Sequence, residues 1–224
     1  MAGPGTEEEG GFTVVHGLAA RGMTDRVLGL FKAGWGAAAF ASDQWGCTAL
    51  HHAAQGGHTA LVEALLNEGL PLHQRDSSGQ TALLAATEKG RVDTVELLLL
   101  RGADPNMSDK MGVAALHVVV ALKEEGEEGG DAARGARMRL VKLLLAQGAD
   151  LNQGDALAFT PLHVAAERGR AEEAEALCGA GADPEVRNGY AQTPVEVAEA
   201  SGASGMGEDV LEAVLRGIRE GSRR

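Results

Sequence analysis

Short apolar clusters recur along the chain, each closed off by polar turn residues. Val62/Leu65/Leu66, Val95/Leu98/Leu99 and Val141/Leu144/Leu145 are spaced three and four residues apart, which places each triad on one face of a helix. A shorter apolar run, such as "TALHHAA" or "AALHVVV", precedes each triad. Gly56-Gly57, Gly90 and Gly169 interrupt the pattern, and Gly69, Gly102, Gly148 and Gly181 stand where helices would end, as glycine C-caps do. The pattern predicts pairs of short helices. The run Leu97–Leu100 reads as part of a buried second helix, not a strand or a membrane anchor. "HVVVAL" and "VELLLL" are core-sized, well short of the length that spans a bilayer.

The pairs repeat with a fixed period. Asp43, Asp76 and Asp109 are thirty-three residues apart, as are Asp155 and Asn188. Each opens a unit with the same grammar. Asp or Asn with a Gly marks a turn. A Thr follows where its hydroxyl can cap free helix amides, and in Thr160-Pro161 and Thr193-Pro194 a proline takes the first helical position. A period of this length denotes a repeat architecture. Two short helices cannot bury themselves, so each unit must lean on its neighbours.

With the motifs "TALHHAA", "TPLHVAA", "LLLLRGADPN" and "LLLAQGADLN", the chain resembles the ankyrin repeat family over nearly its whole length. The resemblance implies an all-α repeat solenoid: paired antiparallel helices stacked side by side, with short β-hairpin fingers along one edge and a concave recognition surface. It also implies that His51, His117 and His163, at one motif position, bridge local turn and helix groups. Leu84 and Glu196 replace that histidine in two units, so it is not a shared catalytic group. Asn106 and Asn152 fall where the family's asparagines can be hydroxylated or simply stabilise the turn.

About six repeats are expected within residues 11–217. A flexible acidic N-terminus (1–10) and a C-terminal tail (218–224) would flank them. The first unit, "VVHGLAARGMTDRVLGLFKAGWG", is degenerate, and Trp35 is a candidate to cover the open side of the stack. Val195–Ala200 and Val210–Leu215 suggest a final helix pair. The fourth unit departs most. Ala114 replaces the capping Thr, a loss of about 1 kcal/mol where nothing compensates. That unit is also thirteen residues longer than the period. Its glycine-containing stretch is expected to be a mobile inserted loop at 123–136, either a binding element or a tolerated insertion.

Composition agrees with thin helical layers. Aromatic residues make up only 3% of the chain, and the apolar volume is mostly Ala, Leu and Val. The net charge of -12 argues against nucleic acid and anionic membranes. It suits a basic protein surface or peptide, and it equally suits solubility. Two distant cysteines, Cys47 and Cys178, lack metal-ligand spacing and suit a reducing compartment. The start "MAGPGTEEEGG" has neither the basic nor the apolar segment of a leader. Cytoplasmic or nuclear residence is expected.

No triad, phosphate loop or ligand cluster is evident in the sequence. Catalysis, cofactors, metals and a small-molecule substrate are therefore not expected, and the chain should be a monomer on its own. Functional interest falls on the finger positions between each Asp or Asn and the Thr. The partner-binding candidates are Gln44, Trp45, Ser78, Gln80, Lys110, Met111, Leu157, Phe159, Tyr190 and Gln192. Large apolar groups at such tips are not needed by the helices, whereas interface centres favour aromatics and Met. The expected function is a protein-interaction module acting as adaptor, inhibitor or regulatory subunit through finger and inner-helix residues. The alternative is an assembly chaperone or stabiliser of a subunit interface.

Overall fold

Four threonines in extended conformation, Thr48, Thr81, Thr160 and Thr193, set the starts of four helices. The hydroxyls of Thr81, Thr160 and Thr193 accept the amides of Leu84, His163 and Glu196 three residues on. In the computed structural model, residues 14–122, 130–201 and 206–221 are described. The chain divides into two compact units, Met1–Lys110 and Met111–Arg224.

In the first unit, α1 (Val14–Ala20) and α2 (Thr24–Leu30) lead into a π-helical turn, Phe31–Trp35, that kinks at Gly34, and into α3 (Gly36–Phe40). Trp35 is half-buried there. Two regular pairs follow: α4 (Ala49–Gly56) with α5 (Thr59–Asn67), and α6 (Ala82–Glu88) with α7 (Val92–Leu100). The leading helices pack on each other, α4 between α1 and α6, while α5 packs on α2 and α7. Leu50, Ala53 and Ala54 thereby meet Leu61, Val62 and Leu65 in a fully buried layer, and Val95, Leu98 and Leu99 extend it.

The four-leucine run is not wholly buried. Leu98 and Leu99 are in the core, but Leu100 is 72% exposed. Four consecutive residues sweep most of a helical turn, so one of them must face outward. The reading of the run Leu97–Leu100 as part of a buried helix is corrected for Leu100 on that ground.

The second unit holds α8 (Ala115–Ala121), α9 (Gly130–Ala146), α10 (Pro161–Glu167), α11 (Ala171–Gly179), α12 (Pro194–Ala200) and α13 (Met206–Gly221). α10 lies against α8 and α12, and α11 against α13. Gly217 lets α13 approach α11 closely: a Cβ there would stand 2.8 Å from the Cβ of Cys178 and 2.5 Å from the carbonyl oxygen of Glu175. Helix α13 runs through Gly221, so residues 218–221 are helical rather than the expected tail. Ala114 keeps half of a cap, since His117 Nδ1 accepts its amide at 3.2 Å, but it offers no hydroxyl to the helix amides.

The inserted segment also differs from expectation. Residues 123–129 lie outside the described residues, as do residues 1–13. From Gly130 onward the expected loop is the first part of α9. "DAARGARMRL" is rich in Ala and Arg, which are strong helix formers, and Asp131 sits in the first turn, where a negative charge is favoured. Two ion pairs fasten this extension to α11: exposed Arg134 with Glu172, and Arg137 with Glu173. Both side chains of the second pair are buried, at 3% and 2% exposure. Removing one member of such a pair strands a charge in the interior, whereas removing both does not. Arg137→Met is therefore expected to lower the unfolding free energy by about 3 kcal/mol, and Arg137→Met with Glu173→Met to recover most of that loss in urea titrations.

Candidate functional site

Four of the fingers are each held by one carboxylate or amide oxygen. Asp43 Oδ1 accepts the amides of Trp45 and Cys47, both at 2.9 Å. Asp76 Oδ1 does the same for Ser78 and Gln80, Asp155 Oδ1 for Leu157 and Phe159, and Asn188 Oδ1 for Tyr190 and Gln192. The Asp76 amide bonds the Gln80 carbonyl and the Gly79 amide bonds the Asp76 carbonyl, which closes the turn. The Oδ1 atoms of Asp43, Asp76, Asp155 and Asn188 are thus turned onto their own fingers.

Adjacent fingers join by one backbone bond each: Ser77 to Trp45 and Lys110 to Ser78 in the first unit, Ala156 to Met111 and Gly189 to Leu157 in the second. No strand forms among the described residues. The expected hairpins are tight turns linked singly, because the remaining finger amides are already engaged by Oδ1. The approach is close. At Gly46 (φ 77°) a Cβ would stand 2.6 Å from the amide nitrogen of Ser77. Ala158 and Ala191 occupy the equivalent place in the last two fingers, at φ 57° and 60°, where a side chain strains the backbone.

The motif histidines tie these fingers to the helices. His51 Nδ1 accepts the Thr48 amide at 3.2 Å, and its Nε2 donates to the Gln80 carbonyl of the next finger at 3.2 Å. His117 links Ala114 to the Phe159 carbonyl, and His163 links Thr160 to the Gln192 carbonyl. This pattern uses the neutral imidazole, with Nδ1 as acceptor and Nε2–H as donor. Burial lowers the pKa of all three, and of His16, from the ordinary 6.5.

The candidate residues separate by exposure. Gln44, Trp45, Ser78, Lys110, Met111, Leu157 and Tyr190 are exposed, whereas Gln80, Phe159 and Gln192 are half-covered. The third finger position, two after the Asp or Asn, points outward in every unit. In the second unit it brings Met111, Leu157 and Tyr190 into one row, exposed by 61%, 51% and 64%. Phe159 lies behind that row, its ring 5.5 Å from His163 and 6.2 Å from Tyr190. In the first unit Trp45, 55% exposed, has Ser78 at the matching place and Lys110 on the next finger. Asn152 ties its loop to the corresponding loop of the next repeat, its Oδ1 accepting the Asp183 amide at 2.9 Å.

One grouping was not legible from spacing. Asp43, Cys47 and His52 place a carboxylate oxygen, a thiol sulfur and an imidazole nitrogen within 4.8 Å of one another. The three residues straddle a turn and a helix start, so their separation along the chain follows no familiar ligand pattern. Burial, together with Asp43 and Asp76, pushes the Cys47 thiol up to about 12, and burial alone does the same for Cys178. Neither thiol is an ionised nucleophile at neutral pH.

These features belong to a known class. A model of ankyrin repeats (3 copies) matches residues 15–109, and one of ankyrin repeats (many copies) matches residues 143–198. The chain belongs to the ankyrin repeat family, whose repeats are protein–protein interaction modules. Among solved structures it is similar to the ankyrin repeat domain of Bcl-3, described as a unique member of the IkappaB protein family. That likeness has a TM-score of 0.75 at 29% identity and covers 93% of this chain and 86% of that one. No curated protein sequence matches the chain.

Two outcomes follow from the finger and histidine geometry. Ala158→Gly and Ala191→Gly should each raise the unfolding free energy by about 0.5–1 kcal/mol in urea melts, the relief of strain exceeding the added freedom of the unfolded chain. The lowered histidine pKa values mean that just below pH 6.5 the unfolded chain binds more protons than the native one. Stability from the neutral imidazoles should be full above pH 6.5 and fall on acidification through that window, as urea titrations at pH 7.5 and pH 5.5 (about one pH unit either side of the unbound imidazole value) would show.

Proposed function

We propose that the protein is an adaptor, inhibitor or regulatory subunit that recognises a protein surface through its finger tips, with no catalytic step of its own. The observation that carries this reading is the row Met111, Leu157 and Tyr190, exposed on rigid turns in the second unit. The turns hold themselves with backbone and Asp or Asn groups, so their conformation does not call for large apolar side chains at the tips. Exposed aromatic and Met side chains on a pre-organised backbone lose little entropy on binding, and such residues dominate interface centres. Trp45 on the first unit is a separate anchor of the same kind.

The chain's net charge of -12 favours a partner with a basic surface or a basic peptide, and disfavours nucleic acid and anionic membrane. No helix among the described residues is long and apolar enough to cross a membrane. Residence in the cytoplasm or nucleus, as a monomer until bound, completes the reading. The likeness to the ankyrin repeat domain of Bcl-3 supports a regulatory role.

The test is affinity capture from cells followed by mass spectrometry, repeated with Trp45→Ala and with Tyr190→Ala after circular dichroism has verified their folding. Partners retained by the wild-type protein should be weakened at least about tenfold by one or both substitutions, as truncation of an interface anchor costs more than about 1.4 kcal/mol. Partners bound equally by all three proteins would place recognition away from the fingers.

A further inference from the structure

The grouping around Cys47 has features that the repeat itself does not need. Where this repeat has Cys47, the other units have Gln80, Val113, Phe159 and Gln192, and where it has His52 they have Ala85, Val118, Val164 and Val197. The turn and helix form in those units without either group. His51, the neighbouring motif histidine, already performs the structural bridge. His52 faces a different way, toward Asp43, and donates to Asp43 Oδ2 at 2.8 Å.

The two finger aspartates divide their oxygens. Oδ1 of Asp43 and Oδ1 of Asp76 each hold their own turn. Oδ2 of Asp43 is left to His52, and Oδ2 of Asp76 accepts the Cys47 thiol at 3.7 Å. Three donor atoms, one each from Asp43, Cys47 and His52, therefore lie within 4.8 Å of one another, and Asp76 Oδ2 on the next finger stands at the edge of the group, 3.7 Å from the Cys47 sulfur. Asp43 is buried and the His52 side chain is 14% exposed, whereas Cys47 and Asp76 are half-covered, which leaves an ion a way in from their side. His16 lies close, its ring centre 5.5 Å from that of His52, but its Nε2 is engaged with the Ala41 carbonyl.

We propose that Asp43, Cys47, His52 and Asp76 form a binding site for one zinc-type divalent cation. A tetrahedral ion with bonds of 2.0–2.3 Å needs its ligand atoms about 3.3–3.8 Å apart. The three atoms that now lie within 4.8 Å reach that spacing by side-chain adjustments of about 1–1.5 Å, and Asp76 Oδ2, already beside the Cys47 sulfur, completes the set by swinging toward the other two while its Oδ1 keeps the turn. One thiolate, one imidazole and two carboxylates make a mixed sulfur, nitrogen and oxygen set, which suits zinc over magnesium or calcium. Binding releases the Cys47 thiol proton to solvent, and His52 ligates through Nε2 as its Nδ1–H form. The ion would clasp the first finger to the second beside Trp45, which sits between two of the ligands in sequence.

Cobalt(II) titration of the chelator-treated full chain tests this. The wild-type protein should take up one equivalent with tetrahedral visible bands and a thiolate-to-cobalt absorption, and zinc(II) should displace it. Cys47→Gln and His52→Val introduce residues that other units carry at those places, so folding is preserved, and both should abolish the signal. Asp76→Asn keeps a turn-holding Oδ1, as Asn188 does, and should weaken the metal at least about tenfold. The absence of a thiolate band in the wild type, or a band that survives Cys47→Gln, would overturn the site. Unchanged affinity in Asp76→Asn would overturn the assignment of the fourth ligand.

Discussion

The structure depends on a neutral imidazole that reaches in two directions. In three repeats its Nδ1 accepts the amide at the start of its own helix, and its Nε2–H donates to a carbonyl in the following finger. The first bond belongs to the cap of its own helix and the second crosses to the next repeat, so no helix could supply the pair alone. The backbone of each finger is joined to its neighbour by one bond, and the histidine is the tie that locks the finger to the buried helical layer. A charged ring would lose the acceptor at Nδ1, and burial opposes that charge. The final repeat reaches a similar result with a carboxylate: Glu196 Oε2 accepts the Thr193 amide at 2.8 Å and pairs with Arg187. Leu84 dispenses with the tie and fills its place as buried apolar bulk.

Much of the architecture was legible because it is written several times. A thirty-three-residue period, a capping Thr and paired apolar triads each repeat, and repetition separates signal from chance. What occurs once was harder to read. Glycines on both sides of the inserted segment suggested a loop, yet Arg134 and Arg137 find Glu172 and Glu173 on α11, and those tertiary pairs draw Gly130 onward into helix. Leu100 faces out because of helical geometry, which a run of identical letters conceals. The outward set of third finger positions could be read from the repeat register, but not the withdrawal of Phe159 behind Tyr190. Asp43, Cys47 and His52 were opaque for another reason: the turn folds back on the helix start, so distance along the chain misstates distance in space.

Charge and shape play separate parts in this molecule. The surplus of acid is a property of the whole chain, whereas the finger aspartates are largely occupied by their own turns. In the binding proposed above, long-range attraction would therefore come from the general field, with contact left to apolar tips. The two effects have different ranges: salt screens the first over roughly 8–10 Å, and the second acts only at contact.

The third residue of each finger has a further consequence. Where Trp45, Leu157 and Tyr190 stand, the amide is given to the residue's own turn, and the carbonyls of Trp45, Ser78, Met111 and Leu157 are given to the next finger. Both obligations belong to the backbone, and any residue but proline can meet them. The side chain at that position can therefore drift under mutation with little penalty to folding. Such a scaffold is evolvable in a specific sense: each tip can change its side chain by a single substitution, and the selection that maintains the helices does not constrain the search among them.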